Sequence, residues 1–233
     1  MDNVIVTNPP RAALEEVDAL AGFGVATVHE AMGRTGLLGP ELRPIQADTR
    51  IAGTAVTVLS WPGDNLMIHA AVEQCRAGDI LVVTTTSASW DGAFGELFAT
   101  ALAHRGVRGV VTTTGIRDTA ELRAMGFPAW SAAVHAQGTV KATPGAVNVP
   151  VTIGPTVVSP GDVVLADDDG VLCIPRERTT AAIESSRARE AKEAATREAF
   201  EAGQLGLDRY GLREVLEQLG VRYVDAADAG GHR

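Results

Sequence analysis

Cysteine is nearly absent: the 233 residues hold only Cys75 and Cys173, far apart and each in apolar surroundings. They lack zinc-ligand spacing, and the sequence predicts buried free thiols in a reducing cytosol rather than a disulfide. Lysine is equally scarce, with Lys141 and Lys192 the only two. No cluster of Lys and Arg stands out, and 20 basic against 29 acidic residues give a formal net charge of −9. Nucleic-acid binding through a basic face is therefore not expected. No stretch approaches the roughly 20 apolar residues of a membrane span. The opening Met1-Asp2-Asn3 has neither a basic region nor a long apolar run, so no signal peptide is expected. Together these absences predict a soluble, cytoplasmic protein with no membrane partner. Also missing are a G-x-S-x-G elbow, a Walker loop and a dinucleotide G-x-G-x-x-G after the first strand. There is no internal repeat and no low-complexity linker.

What is present is ordinary globular composition, 45% hydrophobic and 21% charged. The length suffices to bury a full core, as one domain with a tail or two small ones. Residues 9–21 show helical spacing of Leu14, Val17 and Leu20, and residues 25–32 read as a second short helix. Strand composition marks 50–59, 80–83 and the run from Gly109 to Thr113, which reads as a buried strand ending in a Gly115 turn. Helices are predicted over 65–75, 96–105 and 119–125. Strands alternating with helices argue for parallel βαβ units.

After Pro128 the pattern changes. Short apolar runs over 149–153, 163–166 and 171–174 follow one another with no helix between, and Asp168-Asp169-Gly170 signals a tight hairpin. These strands are expected to form a second sheet on the same core, giving layers of helix, sheet and sheet. Residues 178–203 read as a long helix stopped by Gly203. Its apolar face is thin (Ala181, Ile183, Ala188, Ala191, Ala194, with Phe200 near the end), so it is expected to lie across a neighbour or reach another subunit. A last amphipathic helix is predicted over 212–219, then a frayed tail from Asp228.

Two short segments carry the chemistry. Gly95-Glu96-Leu97-Phe98 opens an apolar helix, and the first amides of a helix lack intrahelical acceptors. Those N–H groups and the positive dipole end suit a carboxylate or phosphate. Arg117-Asp118 follows a buried strand. Arg117 offers a planar charge for bidentate grip on a carboxylate, and Asp118 a hard oxygen for a divalent cation. The plainer reading is a helix start with a surface ion pair, and a Glu96 that merely favours the first turn. His29, His69, His104 and His135 are scattered, without the spacing of a zinc helix, and ordinary hydrogen-bonded histidine is the default. Asp167-Asp168-Asp169-Gly170 lacks the glutamate of a calcium loop and reads as a polar turn. Glu190, Glu193, Glu198 and Glu201 read as a solvated face. Glu193 is the possible exception, because a helix crossing an interface could bring an acid to a metal shell in trans.

Gly95-Glu96-Leu97-Phe98, Arg105-Gly106-Val107-Arg108-Gly109-Val110-Val111, Gly115-Ile116-Arg117-Asp118 and Met125-Gly126-Phe127-Pro128-Ala129-Trp130 together resemble a known family. Gly138-Thr139-Val140-Lys141, Val147-Asn148-Val149-Pro150 and Pro160-Gly161-Asp162-Val163 through Gly170-Val171 add to it. It is the family joining 4-hydroxy-4-methyl-2-oxoglutarate/4-carboxy-4-hydroxy-2-oxoadipate aldolases with regulators of ribonuclease activity A. The similarity runs from Val25 to about Tyr223, and the C-terminal portion with Gly203-Gln204-Leu205-Gly206-Leu207-Asp208 and Tyr210 is similar to the aldolase branch.

The resemblance implies an α/β fold, an α/β/β sandwich of the swivelling-domain type with a C-terminal helical extension. The implied organisation is a core over 1–175 and an extension over 176–233 that packs on a neighbouring subunit of a homotrimer or dimer of trimers. It also implies a Mg²⁺- or Mn²⁺-dependent, class II pyruvate aldolase. By that match Asp118 is the direct metal ligand, Arg117 holds the keto-acid carboxylate, and Glu96 acts through metal-bound water. The amides of Leu97 and Phe98, after Gly95, receive the substrate carboxylate, and Glu193 is an outer acid from a neighbouring subunit. Oxaloacetate decarboxylation is implied as a second activity, because it passes through the same enolate. Neither lysine lies in the site motif, which favours the metal route over an imine. One departure bears on substrate: many members carry Asp in the turn before Arg-Asp, where this chain has Thr112-Thr113-Thr114. The rival reading is a non-catalytic, ribonuclease-binding regulator of the same fold.

Overall fold

Residues 51–60 contain neither charge nor proline and are rich in β-branched side chains, and they form the longest strand, β3 (Ile51–Ser60). The computed structural model describes residues 3–226, and both edges of β3 are used. On one edge lie the parallel strands β4 (Asp79–Thr85), β6 (Gly109–Ile116) and β7 (Ala129–Val134). The helices α3 (Leu66–Gln74), α4 (Glu96–His104) and α5 (Thr119–Ala124) alternate with them. This is the expected βαβ half. Short β5 (Gly92–Phe94) pairs with the end of β6, and β2 (Arg43–Pro44) runs antiparallel to β7.

The other edge of β3 carries β11 (Val163–Asp167) antiparallel over its first half, from Ile51 to Thr54. Near its end Val58 and Leu59 pair with β8 (Ala146–Val147), which in turn carries β1 (Val4–Ile5). The hairpin of β11 and β12 (Gly170–Ile174) sets Asp167 opposite Gly170, so Asp168 and Asp169 are its turn. The expectation of a separate second sheet is thus corrected. Among the described strands only β9 (Val151–Ile153) and β10 (Thr156–Val158) form a sheet of their own. β3 is long enough for different strands to share its second edge, which joins the layers by hydrogen bonds.

The layers themselves stand as expected. Helices α3, α4 and α5 cover one face of the parallel strands, through Met67, Ile68, Phe98, Leu102 and Leu122 against Val56, Leu81 and Val110. Ala55, Ile80, Val82, Val111 and Trp130 on the other face pack on Val151, Ile153, Val164 and Val171 of the second β layer. The outer side of that layer, Val163, Leu165, Leu172 and Ile174, is covered by α1 (Leu14–Ala21), α2 (Val25–Ala31) and Ala182 and Ile183 of α6 (Thr179–Glu201).

Other boundaries moved for local reasons. The first helix begins at Leu14 rather than residue 9: Pro10 disfavours helical backbone at Pro9, and Arg11 is bonded to Asp79, with Nε 2.9 Å and Nη2 2.8 Å from its two oxygens. The run over 149–153 starts only at Val151: Asn148 has φ of 56°, and Pro150 has no N–H. Gly115 lies inside β6 rather than in a turn. A Cβ there would fall on the Trp90 carbonyl, so the glycine admits the segment leading into β5.

The chain divides into two compact units, Met1–Arg187 and Ala188–Arg233. The second comprises the end of α6, α7 (Gly206–Arg209), which the sequence reading did not anticipate, and α8 (Leu212–Gln218). Gly203, at φ of 87°, ends α6 as expected, with Gln204 N–H donating to Ala199 O at 2.9 Å in a Schellman closure. Phe200 and Tyr210 meet edge to face at 6.1 Å. None of this unit's described residues is buried. The tail expected to fray from Asp228 lies outside the described residues. No helix among the described residues is long and apolar enough to cross a membrane.

Candidate active site

The candidate site forms where β5 and β6 end side by side, beyond the carboxyl ends of parallel strands, the usual place for a ligand in such sheets. β5 delivers Gly95, the residue before α4, and β6 delivers Arg117 and Asp118. The Arg117 N–H donates to Phe94 O at 3.0 Å and so ties the two strand ends together. Asp118 stands in the left-handed region, φ 55° and ψ 41°, which turns the chain into α5 and points its carboxylate back at α4. Its Oδ2 accepts from the Glu96 N–H at 3.2 Å and lies 3.7 Å from Arg117 Nε. This close approach depends on Gly95: a Cβ there would fall 2.4 Å from Asp118 Oδ2 and 3.1 Å from Arg117 Cγ.

Gly95, Leu97, Phe98, Arg117 and Asp118 share the wall of one cavity of about 310 Å³. The two short motifs, far apart in sequence, thus open on a common space. Two details differ from expectation. The Phe98 N–H already donates to Gly95 O at 3.1 Å, because the first turn of α4 is tight, so Leu97 supplies the one first-turn amide with no acceptor among the described residues. Glu96 contributes its backbone, while its Oε1 accepts from Thr100 Oγ1 at 2.7 Å and its side chain is not part of the cavity wall. Glu193 belongs to the second unit, where its carboxylate pairs with Arg189 one turn away at 2.7 Å.

Three polar side chains outside the two short motifs also line the wall: Asn65, His69 and Lys141. Asn65 precedes α3 and is buried; its Nδ2 donates to Ala93 O at 3.2 Å, while its Oδ1 has no partner. His69 packs on Phe98 with ring centroids 4.5 Å apart, and partial burial followed by the nearby Lys141 charge lowers its pKa. Lys141 lies outside the site motif in sequence, yet the fold brings it to the cavity wall. The only signal was its place in Gly138-Thr139-Val140-Lys141.

The donor set suits a hard cation. Among the described residues no group of three or more His, Cys, Asp and Glu could hold a metal, so a closed, all-protein shell of the zinc type is excluded there. Asp118 is partly exposed to the cavity and its Oδ1 makes no hydrogen bond to the described protein. One carboxylate with water and ligand oxygens is the mode in which Mg²⁺ or Mn²⁺ is commonly held.

These features define the chain as an α/β protein with a cavity at the strand ends whose wall carries Arg117, Lys141 and Asp118. The chain belongs to the RraA-like family, described as Aldolase/RraA, whose model matches residues 25–173. A protein of Halalkalibacterium halodurans named "Putative 4-hydroxy-4-methyl-2-oxoglutarate aldolase" is 24% identical over 198 residues, covering 84% of this chain and 94% of its own. One of the same name from Burkholderia multivorans is 35% identical over 142 residues, or 61% of this chain and 86% of its own. Among solved structures, Streptomyces coelicolor RraAS2, described as an unusual member of the RNase ES inhibitor RraA family, superposes with a TM-score of 0.74 at 26% identity. That match covers 82% of this chain and 99% of RraAS2.

Proposed function

We propose that this protein is a class II pyruvate aldolase, dependent on Mg²⁺ or Mn²⁺. It would cleave 4-hydroxy-4-methyl-2-oxoglutarate or 4-carboxy-4-hydroxy-2-oxoadipate to pyruvate and a second 2-keto acid, and decarboxylate oxaloacetate as a side activity. The observation that carries this reading is the convergence at Gly95, where Arg117, Asp118 and Leu97, whose amide has no acceptor among the described residues, border one cavity. The named relatives support the same reaction class.

In this scheme the substrate's 1-carboxylate lies on the Leu97 N–H and the Arg117 guanidinium. Loss of the 4-hydroxyl proton makes C4 a carbonyl, the C3–C4 bond breaks, and its electron pair passes to C3 and the 2-oxygen as the pyruvate enolate. Protonation at C3 completes pyruvate. Asp118 would hold the metal ion, which supplies positive charge at the 2-oxygen where the enolate charge develops. Glu96, whose side chain lies outside the cavity wall and whose Oε2 is not engaged by Thr100, would act only through an intervening water, the proposed proton carrier. Arg117 stays beside that charge throughout and cannot be deprotonated in a protein.

We further propose that the second unit packs on another copy of the chain, in a trimer or dimer of trimers, and brings Glu193 to the neighbour's site. Its lack of any buried described residue and its exposed Leu205, Leu212, Val215 and Leu219 support this.

The test is pyruvate release from a panel of 4-hydroxy-2-oxo acids, with and without a chelator. Activity lost to the chelator and restored by Mg²⁺ or Mn²⁺ is expected; full activity after exhaustive chelation would end the class II reading. The likeness to RraAS2 favours a second reading, a ribonuclease-binding regulator. Tight ribonuclease capture with no metal-dependent turnover would put that reading first.

A further inference from the structure

Lys141 reaches the cavity from a segment remote in sequence, and its position is built rather than incidental. Asp64 is buried before α3, and its carboxylate accepts from Leu66 N–H at 2.8 Å through one oxygen. The other oxygen takes Ala142 N–H at 2.9 Å and Thr143 N–H at 2.7 Å. On the other side of the lysine, Val140 N–H donates to Gly63 O at 2.9 Å and Val140 O accepts from Asn65 N–H at 3.0 Å. The backbone around Lys141 is thus held from both sides against the start of α3, the helix that carries His69. Burial raises the pKa of Asp64, but the three backbone N–H groups and the Thr143 side chain outweigh it, and the net shift is downward.

Among the described residues Lys141 makes no ion pair, and it shares the cavity wall with Arg117 and with a single carboxylate, that of Asp118. A cation without a counter-charge, fixed at the wall of a cavity that already holds an anion-binding arginine, is suited to a second anionic group on the same ligand. Asn65 Oδ1, buried and without a partner, adds an acceptor for a ligand hydroxyl or a water on the same side.

We infer that Lys141 is a specificity-determining residue that binds the distal carboxylate of a dicarboxylic substrate, and that His69 and Asn65 line the subsite around it. This rests on the proposed aldolase reading, which supplies the 2-oxo acid; the cavity adds a second cation, Lys141, on the wall that holds Arg117. Arg117 and the Leu97 amide take one end of the ligand and Lys141 the other. A 4-hydroxy-2-oxo monocarboxylate leaves Lys141 unpaired and is selected against.

Binding is measured by calorimetry with 2-oxoglutarate and, as its monocarboxylate counterpart, 2-oxopentanoate, in the presence of Mg²⁺. The full chain is used as wild type, Lys141→Met and Lys141→Arg; the kcat/KM ratio for dicarboxylic over monocarboxylic 4-hydroxy-2-oxo acids is measured alongside. Lys141 is solvent-exposed, so the substitutions should leave the fold intact, which the melting temperature checks. The dicarboxylate preference of the wild type is expected to fall on the order of 10- to 100-fold in Lys141→Met, the size of one charge-assisted hydrogen bond. Lys141→Arg should retain most of it. A preference unchanged in Lys141→Met, or no preference in the wild type, overturns the inference. Turnover and binding separate the two claims: no pyruvate release with a Lys141-dependent dicarboxylate preference would refute the aldolase reading and leave the subsite standing. Borohydride trapping of a pyruvoyl adduct on Lys141 would overturn it in favour of imine chemistry at this lysine.

Discussion

Gly95→Ala isolates the geometry of the site from the stability of the fold. Gly95 has φ of −160° and ψ of −168°, extended backbone that alanine adopts without strain. Alanine also restricts the unfolded chain, which offsets part of any loss, so the change in stability is expected to stay within about 1 kcal/mol. For a chain of this length that corresponds to roughly 2–4 °C in Tm. The added methyl, however, would lie 2.4 Å from Asp118 Oδ2, 3.1 Å from Arg117 Cγ and 3.3 Å from Asp118 Cγ. Carbon–oxygen contact needs about 3.4 Å, so the carboxylate must retreat by about 1 Å, which breaks its bond from the Glu96 N–H and moves Arg117 with it. Misplacement on that scale costs about 100-fold in rate, or about 2.7 kcal/mol of transition-state stabilisation. The assay is kcat/KM for pyruvate release beside a melting curve. A variant within about threefold of wild type would show that the juxtaposition of Asp118 and Arg117 does not set the rate, and the site as drawn would fail.

Arg117→Lys should be nearly as damaging as Arg117→Ala, with a loss of about 2–4 kcal/mol in kcat/KM, because the planar fork rather than the charge orients the carboxylate; a Lys variant within a few-fold of wild type would refute this. Mixing inactive Asp118→Ala with inactive Glu193→Ala under subunit exchange should partly restore activity if Glu193 serves a neighbour's site, whereas no recovery would confine it to its own subunit. Both thiols should resist thiol-specific reagents at pH 8 until the protein is denatured. Burial, then the Asp79 charge, pushes Cys75 up to about 12 against the opposing charges of Arg105 and Arg11, and burial and Asp162 raise Cys173 as well. A thiol near 12 is only about one part in ten thousand thiolate at that pH, so rapid labelling of the native protein would contradict the burial of Cys75.

The parallel half of the fold could be read from the chain because its signals are local. Val110, Val111 and Leu102 announce strand and helix by composition and spacing, and glycines such as Gly78, at φ of 89°, mark the turns between them. The joining of the two β layers could not be read in this way. Which strand takes the free edge of β3 depends on pairs such as Val163 with Thr54 and Val147 with Val58, which are set by packing across the core. Gly115 shows the ambiguity in one residue. A glycine after a β-branched run reads as a turn, yet here it stays in the strand because the Trp90 backbone passes too close for any side chain.

The same division of local from distant holds at the site, and it decides which ligand the cavity suits. Gly95, Arg117 and Asp118 each stand one step beyond a strand end, where a fold of this class exposes chemistry, so their types alone suggested an anion and a cation. Lys141 carries no such local sign, because its place is set by a carboxylate on a different element, Asp64, through the amides of Ala142 and Thr143. The α4 amides bear on the same point. The resemblance implies two free donors at this helix start, the amides of Leu97 and Phe98, but Phe98 N–H is committed to Gly95 O and Glu96 N–H to Asp118, leaving Leu97. One amide and one arginine make a modest hold for a single carboxylate. With Lys141 at the same wall the cavity has two separated cations, and a ligand with a carboxylate at each end satisfies both without leaving a charge unpaired in the wall. The chemistry proposed at Asp118 would serve many 2-oxo acids, so on this reading the selection among them would fall to Lys141, across the same wall from Arg117.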